Sequence, residues 1–391
     1  MQGHIHKRSH TSKNGKLTTR WYVVFDVGRS ASGKRKQKWH GGFNTHKEAE
    51  VARAKLIVDV HDGAYIEPTK LTVEDWIIRR WIPSMKTQLK FSTFDSYKRN
   101  LNKHVLPVLG NLPLIEITPN RLNNLYSTLL QDGNSRGGGL SAKTVRYIHT
   151  TIHKAFSDAR DEGLLRTNPA ELAKPPRMKA YSKKELNVWD SKTLRKFLDF
   201  TTEERLGKAW HVLAMTGMRR GELLGLRWSD VDFDRKRIII RHTIISVAYE
   251  IIESTPKNHQ TRIIDIDEST IQILKKQIYT QKDDKAIWEA NYTDRDLVFS
   301  KEDGSPIHPD SLSQSFERTI KRVQVPRIRL HDLRHTHATL AMQAGVPIKV
   351  ISERLGHESP AFTMKQYAHV LPTMQAEAAT LVADIVLGIK S

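Results

Sequence analysis

The chain has 391 residues, of which 38% are hydrophobic and 27% charged, so two or three domains with modest cores are expected. Its 63 Lys and Arg stand against 43 Asp and Glu, a formal charge of +20 spread over the whole length. That calls for an anionic partner and favours a protein that wraps nucleic acid over one with a single basic tail. The absence of cysteine excludes disulfides and thiolate metal sites and points to a reducing cytoplasm. The polar, basic N-terminus lacks the apolar centre of a secretory signal, and no stretch reaches the roughly 18 apolar residues of a membrane span.

In chain order, residues 1–62 read as a small β-sheet plus one helix. Arg20-Trp-Tyr-Val-Val-Phe-Asp-Val27 has the aromatic and β-branched content of a strand, Gly28 to Gly33 is a turn, and Lys34 to His40 is the returning strand. Ala49, Ala52, Leu56 and Val60 recur at helical spacing after Gly41-Gly42. A ribbon carrying Arg20, Lys34, Arg35, Lys36 and Lys38 suits a DNA groove flanked by phosphates. A solvated edge strand defended by lysines is the duller reading.

Residues 71–169 read as an all-helical bundle. Thr72, Ser92, Thr118 before Pro119, and Ser141 are helix starts, while Pro107, Gly133 and Gly163 are stops. Lys98, Arg99, Lys103, Lys143 and Arg146 lie on its polar faces, as a DNA clamp or an ordinary bundle would have them. Residues 170–184 are basic, contain Pro175-Pro176 and lack apolar periodicity, hence an interdomain linker. From residue 185 to 391 helices come first, then strands near 237–242, 243–249 and 261–266, then helices to the end. The fold class is therefore multidomain α+β, with a mainly helical last domain around a small antiparallel sheet.

Four short elements in that last domain form one constellation. In Thr216-Gly-Met-Arg-Arg-Gly-Glu222, an arginine held at a tight turn between helices suits a clamp on phosphate. His331-Asp-Leu-Arg334 places a histidine and an arginine on one helix face. Leu355-Gly-His357 and Tyr367 follow. Singly these are weak, and Tyr367 alone reads as a core tyrosine. His331, His335 and His337 are not completed into a metal set by carboxylates or thiolates, and His335 reads as a helix-packing residue.

The order and spacing of all four resemble the catalytic domain of tyrosine recombinases, and the two preceding segments resemble the arm-binding and core-binding domains of phage integrases. The resemblance implies a DNA strand cut by Tyr367 as a 3′-phosphotyrosine, releasing a 5′-hydroxyl without metal or other cofactor. It further implies Arg219 and Arg334 as the cations on the scissile phosphate, His331 as base and His357 as hydrogen-bond donor. Lys257 would be the acid for the leaving oxygen and Glu222 would orient the basic cluster. Implied partners are double-stranded DNA at core-type and arm-type sites, a homotetramer on that DNA through the C-terminal helix near 373–387, and as helpers a host DNA-bending protein and a directionality factor. The expected setting is the bacterial cytoplasm, at the nucleoid. A type IB topoisomerase and a non-catalytic DNA-binding factor are the rival readings. The N-terminal module argues against the first and the full residue set against the second.

Overall fold

The computed structural model describes residues 3–11, 17–29, 35–61, 70–135, 137–178, 187–255, 261–367 and 374–388. The chain divides into two compact units, Met1–Ala180 and Tyr181–Ser391.

The first unit opens with an antiparallel sheet in the order β1 (His4–Thr11), β2 (Leu17–Arg29), β3 (Arg35–Phe43). Sequence pattern alone does not reveal β1. Its His4-Ile-His-Lys-Arg-Ser-His-Thr11 holds one large apolar residue, Ile5, so it is held by its ladder to β2 rather than by side-chain propensity. Val23 and Phe25 of β2 face helix α1 (His46–His61) and bury Ala49 and Leu56. On the other face Trp39 is half exposed and meets His6 and Tyr22 edge-on, with ring centroids at 5.0 and 6.0 Å.

The helical part begins at Thr72, whose hydroxyl accepts the Asp75 N–H at 3.0 Å. A π-helical stretch Asp75–Trp81 runs into α2 (Ile82–Met85); after α3 (Phe91–Asn100), a second π stretch Leu101–Val105 runs into α4 (Leu106–Leu109). Pro107 therefore does not stop a helix. It lies in the first turn of α4, where its missing N–H has no intrahelical partner to lose. Ser92 likewise does not cap α3, which starts at Phe91 with no side-chain cap. Thr118 and Ser141 do cap α5 (Pro119–Asp132) and α6 (Ala142–Asp161), accepting from Arg121 and Thr144. Trp76, Trp81, Tyr126 and Phe156 centre the core, and the two indole N–H groups reach the Ala155 carbonyl and the Asp158 carboxylate.

The start of the expected linker is folded. Asn168 caps a turn α7 (Pro169–Leu172), and Ala170 and Ala173 join the helical core. A Pro at the first helical position behind an Asn cap is enough to start that turn, although no apolar period marks it.

The second unit packs α8 (Ser191–Thr201), α9 (Gly207–Thr216), α10 (Arg220–Leu224), α11 (Glu268–Trp288) and α12 (Pro309–Val323) around Trp189, Phe197, Trp210 and Phe316. Strands β4 (Val231–Asp232), β5 (Arg237–Ile240) and β8 (Arg262–Asp265) form one antiparallel sheet, while β6 (Thr243–Val247) and β7 (Glu250–Ser254) form a hairpin. Helices α13 (Asp332–Gln343), α14 (Ile348–Leu355) and α15 (Pro360–Tyr367) build a smaller core of Ala338, Met342, Ile351, Leu355 and Tyr367. Helix α16 (Met374–Leu387) closes the described chain.

Candidate active site

The site grows from two glycine turns. Helix α9 ends at Gly217, in the left-handed conformation with φ 64°, where a Cβ would lie 2.7 Å from both His337 and Leu355. Only glycine is both unstrained and small enough there. The chain is thereby turned so that Arg219 caps α10, and the Gly217 carbonyl faces α13, where it accepts from Arg334 Nη1 at 2.8 Å. The second turn, Gly356 at φ 63°, ends α14; its carbonyl accepts from Arg219 Nη2 at 3.0 Å, and His357 follows it.

Glu222 sits under this pair of turns at 2% exposure. One oxygen accepts from Arg219 Nη1 at 2.8 Å, and the other accepts the Arg219 backbone N–H at 2.8 Å. A third arginine, Arg262 at the start of β8, donates to both oxygens at 2.9 and 2.6 Å. Burial alone would raise this carboxyl, but Arg262 and Arg219 reverse the effect and hold it at about 2.

Arg334 is 3% exposed, and among the described residues its Nη2 has no hydrogen-bond partner. Burial, then the like charges of Arg219 and Arg262, penalise its positive charge. A buried cation with an orphaned donor is the arrangement that an anion completes. Arg334 Nη2 is therefore a donor open to an anion.

Tyr367, at the end of α15, has no exposed surface, and burial pushes its phenol up to about 12. Its hydroxyl is 2.8 Å from Nδ1 of His335, not of His331. His335 is thus more than the helix-packing residue its sequence context implies: one turn beyond His331, it faces the phenol. His331 sits at the N-cap of α13 with its ring edge-on to His335, centroids 5.2 Å apart. His357 Nδ1 lies 2.7 Å from the Thr363 hydroxyl. Lys257 lies outside the described residues.

Three stretches of the sequence match known families, in chain order. An Arm DNA-binding domain matches residues 9–60, a phage integrase N-terminal SAM-like domain matches 72–130, and the phage integrase family matches 187–374. The chain belongs to the phage integrase family of tyrosine recombinases. A tyrosine recombinase XerC-like protein of Caldanaerobacter subterraneus subsp. tengcongensis is 28% identical over 97% of this chain and 99% of its own length. Among solved structures, the Tn1549 transposon integrase in complex with transposon right end DNA is similar with a TM-score of 0.64 and 21% identity, covering 80% of this chain and 99% of that one. A lambda integrase dimer bound to a COC′ core site gives 0.54 and 18%, covering 92% and 93%. These likenesses support the α+β, mainly helical architecture read from the sequence.

Two histidines that the sequence motifs single out in this tyrosine recombinase, and a neighbour, are held neutral by burial. His331 and His337 fall to about 4 and His357 to about 3, each with burial as the largest cause and nearby arginines adding to it. Unfolded histidines titrate near ~6.5. The folded state therefore binds fewer protons than the unfolded one below that value, and the stability present above pH ~6.5 is lost as pH falls toward the folded values. We expect thermal melting of the second unit to drop by about 5 °C or more between pH 7.5 and pH 5. An unchanged midpoint would mean that these rings are not held neutral.

The basic residues singled out in the first unit are dispersed. Arg20, opposite Arg8 on β1, donates to the Gly42 carbonyl at 3.4 Å. Lys38 is half-buried, Arg35 and Lys36 belong to β3, and Lys34 lies outside the described residues. In the helical part Lys98, Arg99, Lys143 and Arg146 are exposed. Arg99 is 3.4 Å from Asp95, and Arg146 donates to the Pro176 carbonyl at 3.2 Å, tying down chain that follows α7. Lys103 reaches the Ser135 hydroxyl. Trp39, half exposed beside His6 and Tyr22, is a residue of the open sheet face that charge patterning passes over; a tryptophan in a lysine-rich strand is the signal that marks it.

Proposed function

We propose that this chain is an integrase: a site-specific DNA recombinase that cuts and rejoins strands of a mobile element through Tyr367. The observation that carries the reading is Arg334, a buried cation with an unpartnered donor, electrostatically coupled to the buried Tyr367. Without a metal in the proposed mechanism, the charge developing on the non-bridging phosphate oxygens falls to fixed cations, here Arg334 and Arg219. The Tyr367 oxygen forms a bond to phosphorus as the bond to the 5′-oxygen breaks. The phenolic proton goes to His331, and a proton from Lys257 goes to the leaving 5′-oxygen. His357 donates to the phosphate, and Glu222 orients Arg219. The exchange is nearly isoenergetic, so a 5′-hydroxyl from a partner duplex can reverse it and complete strand transfer.

A tyrosine with no exposed surface cannot attack a docked duplex, so α15 must shift when DNA binds. The phenol then leaves His335 and comes within reach of His331, whose ring is one turn away.

The N-terminal module, with Trp39 on the open face of its sheet and the basic residues Arg20, Lys34, Arg35, Lys36 and Lys38 expected from the sequence, would read arm-type sites. The helical domain, with Lys98, Arg99, Lys143 and Arg146, would grip the core site together with the catalytic domain, joined by the residues around 173–184. Such a division assigns residues 1–62 to the arm, 71–169 to the core and 185–391 to catalysis. Exchange between two duplexes needs four copies, with a host DNA-bending protein and a directionality factor as candidate helpers, in the bacterial cytoplasm at the nucleoid.

Helix α16 is the candidate link between copies, since Val382, Ile385, Val386 and Leu387 are all exposed on it. Removing the residues after Val370 is expected to leave binding of a single core site within about threefold while abolishing paired complexes, because the apolar side chains carry association rather than DNA contact. Undiminished recombination by the truncated protein would refute that role.

The function is tested by incubating the protein with plasmids carrying the two junctions of its own element and sequencing the joint molecules. Crossovers at one fixed position in every product are expected. Relaxed plasmids without joint molecules would instead support a topoisomerase, and binding without cleavage an accessory factor.

A further inference from the structure

Arg262 is a basic residue of the catalytic unit that the sequence motifs do not single out. It stands at the start of β8 with its side chain 11% exposed. Each of its three guanidinium nitrogens is committed within the protein. Nη1 and Nη2 span the two Glu222 oxygens at 2.9 and 2.6 Å, and Nε donates to the Arg354 carbonyl at 3.0 Å. With three of its five N–H donors used inside the protein and the side chain only 11% exposed, against 32% for Arg219, Arg262 is the less available of the two to a phosphate. Its surroundings, however, are those of the phosphate clamp. Glu222 is the carboxylate that also holds Arg219, and a Cβ on Gly356, the turn that presents His357, would lie 2.9 Å from Arg262 Cδ.

We propose that Arg262 is a positioning residue for strand cleavage: by occupying both oxygens of Glu222 it keeps Arg219 turned toward the scissile phosphate and braces the Gly356–His357 turn. This role rests on the reading of Arg219 as a phosphate clamp and Tyr367 as the nucleophile. The physical reason is competition for one buried carboxylate. With Arg262 present, Glu222 takes only one side-chain N–H from Arg219, whose guanidinium remains about one-third exposed. Without Arg262, a buried carboxylate would be left with one cation, and a bidentate grip would draw Arg219 inward, off the phosphate. A purely structural ion pair would have a different signature, since replacing both partners by neutral groups of the same size is often neutral for folding.

The groups facing Glu222 are Arg219 from the start of α10, Arg262 from β8 and Arg334 from α13, with His331 and His357 beside those arginines. Two of these cations overcome the effect of burial on the Glu222 carboxyl. Loss of one leaves burial opposed mainly by Arg219, so the carboxyl should titrate well above its wild-type value.

The test uses the full-length protein and a nicked duplex carrying its element's junction, in single-turnover cleavage assays across pH, with binding and melting measured in parallel. Arg262→Met is expected to slow covalent-complex formation about 100-fold while changing core-site Kd by less than about threefold. Arg262→Lys should recover only about tenfold of that, because an ammonium cannot span both oxygens. The Met variant should gain an acid limb in its rate profile that is absent from the wild type and from the Glu222→Gln/Arg262→Met double variant. The double variant should melt near the wild type yet remain about 100-fold slow, and it carries the test if the single variant fails to fold. Wild-type cleavage by either Met-bearing variant would overturn the proposal and leave Arg262 a structural counter-ion. If the wild type forms no adduct that depends on Tyr367, the reading of the site itself falls, which is a distinguishable result.

Discussion

Tyr367→Phe is expected to bind core-site DNA as the wild type does and to form no covalent complex, a loss of about 10⁵-fold or more in cleavage, as when a catalytic nucleophile is removed outright. The substitution deletes one oxygen and keeps the ring, so the small core of Ala338, Met342, Ile351 and Leu355 around it is not opened. It removes the 2.8 Å hydrogen bond between the phenol and His335, which leaves the histidine Nδ1 without that partner at a cost of about 1–2 kcal/mol. Melting should therefore fall by a few degrees while the fold persists. Residual cleavage in this variant, by an uncovered second nucleophile or by water, would remove Tyr367 from the mechanism. The result can be read from binding and denaturing gels on the same samples.

The second large effect is at Arg334, and it separates stability from activity. Arg334→Met should lower covalent-complex formation by about 10³-fold, the scale found when a cation that meets transition-state charge on phosphate is lost. Its effect on the DNA-free protein should be opposite in sign. The wild-type guanidinium is 3% exposed, donates to Gly217 and carries an orphaned Nη2. It is also repelled by Arg219 and Arg262. Methionine of similar length removes a buried charge that lacks a full set of partners, which commonly leaves a fold as stable or stabilises it by about 1 kcal/mol or more. Losing the bond to the Gly217 carbonyl offsets part of this gain. Calorimetry should thus show an unchanged or higher midpoint in the variant. A collapse in melting, with cleavage falling only in proportion to the unfolded fraction, would make Arg334 a structural residue.

Both predictions depend on residues that are legible in the amino-acid sequence, for a physical reason. Arg219, Glu222, His331, Arg334, His357 and Tyr367 stand in short motifs whose turns are written locally, by Gly217 and Gly356. The fold joins Arg219 to Glu222 and the Gly356 carbonyl, and Arg334 to the Gly217 carbonyl. It also couples Tyr367 electrostatically to Arg334. What sequence pattern does not show is what depends on distant partners. Arg262 meets a carboxylate 40 positions earlier in the chain, and nothing in its own strand distinguishes it from any other arginine. His335 reads as packing because its partner Tyr367 arrives from another helix, 32 residues away.

Fold legibility follows the same division. Helices with an apolar period and an oxygen cap, such as those starting after Thr118 and Ser141, are visible in the sequence. Strand β1 is not, because a histidine-rich, polar segment becomes a strand only by pairing with β2. Pro107 misleads for a related reason. A proline stops a helix in its interior but starts one at its first turn, and only the backbone on either side decides which.

Central to this mechanism is a covalent bond between Tyr367 and the 3′ end of a cut strand, made without metal. The most direct measurement incubates the protein with a nicked junction duplex in chelator, digests the adduct with trypsin and nuclease, and sequences the nucleotide-bearing peptide by mass spectrometry. The tryptic peptide covering residues 366–390 contains a single tyrosine, Tyr367. The mechanism predicts a nucleotide on that residue through a 3′-phosphate, with a free 5′-hydroxyl on the other fragment. A nucleotide attached to any other residue, a 5′-phosphate linkage, or an adduct that disappears in chelator would contradict it.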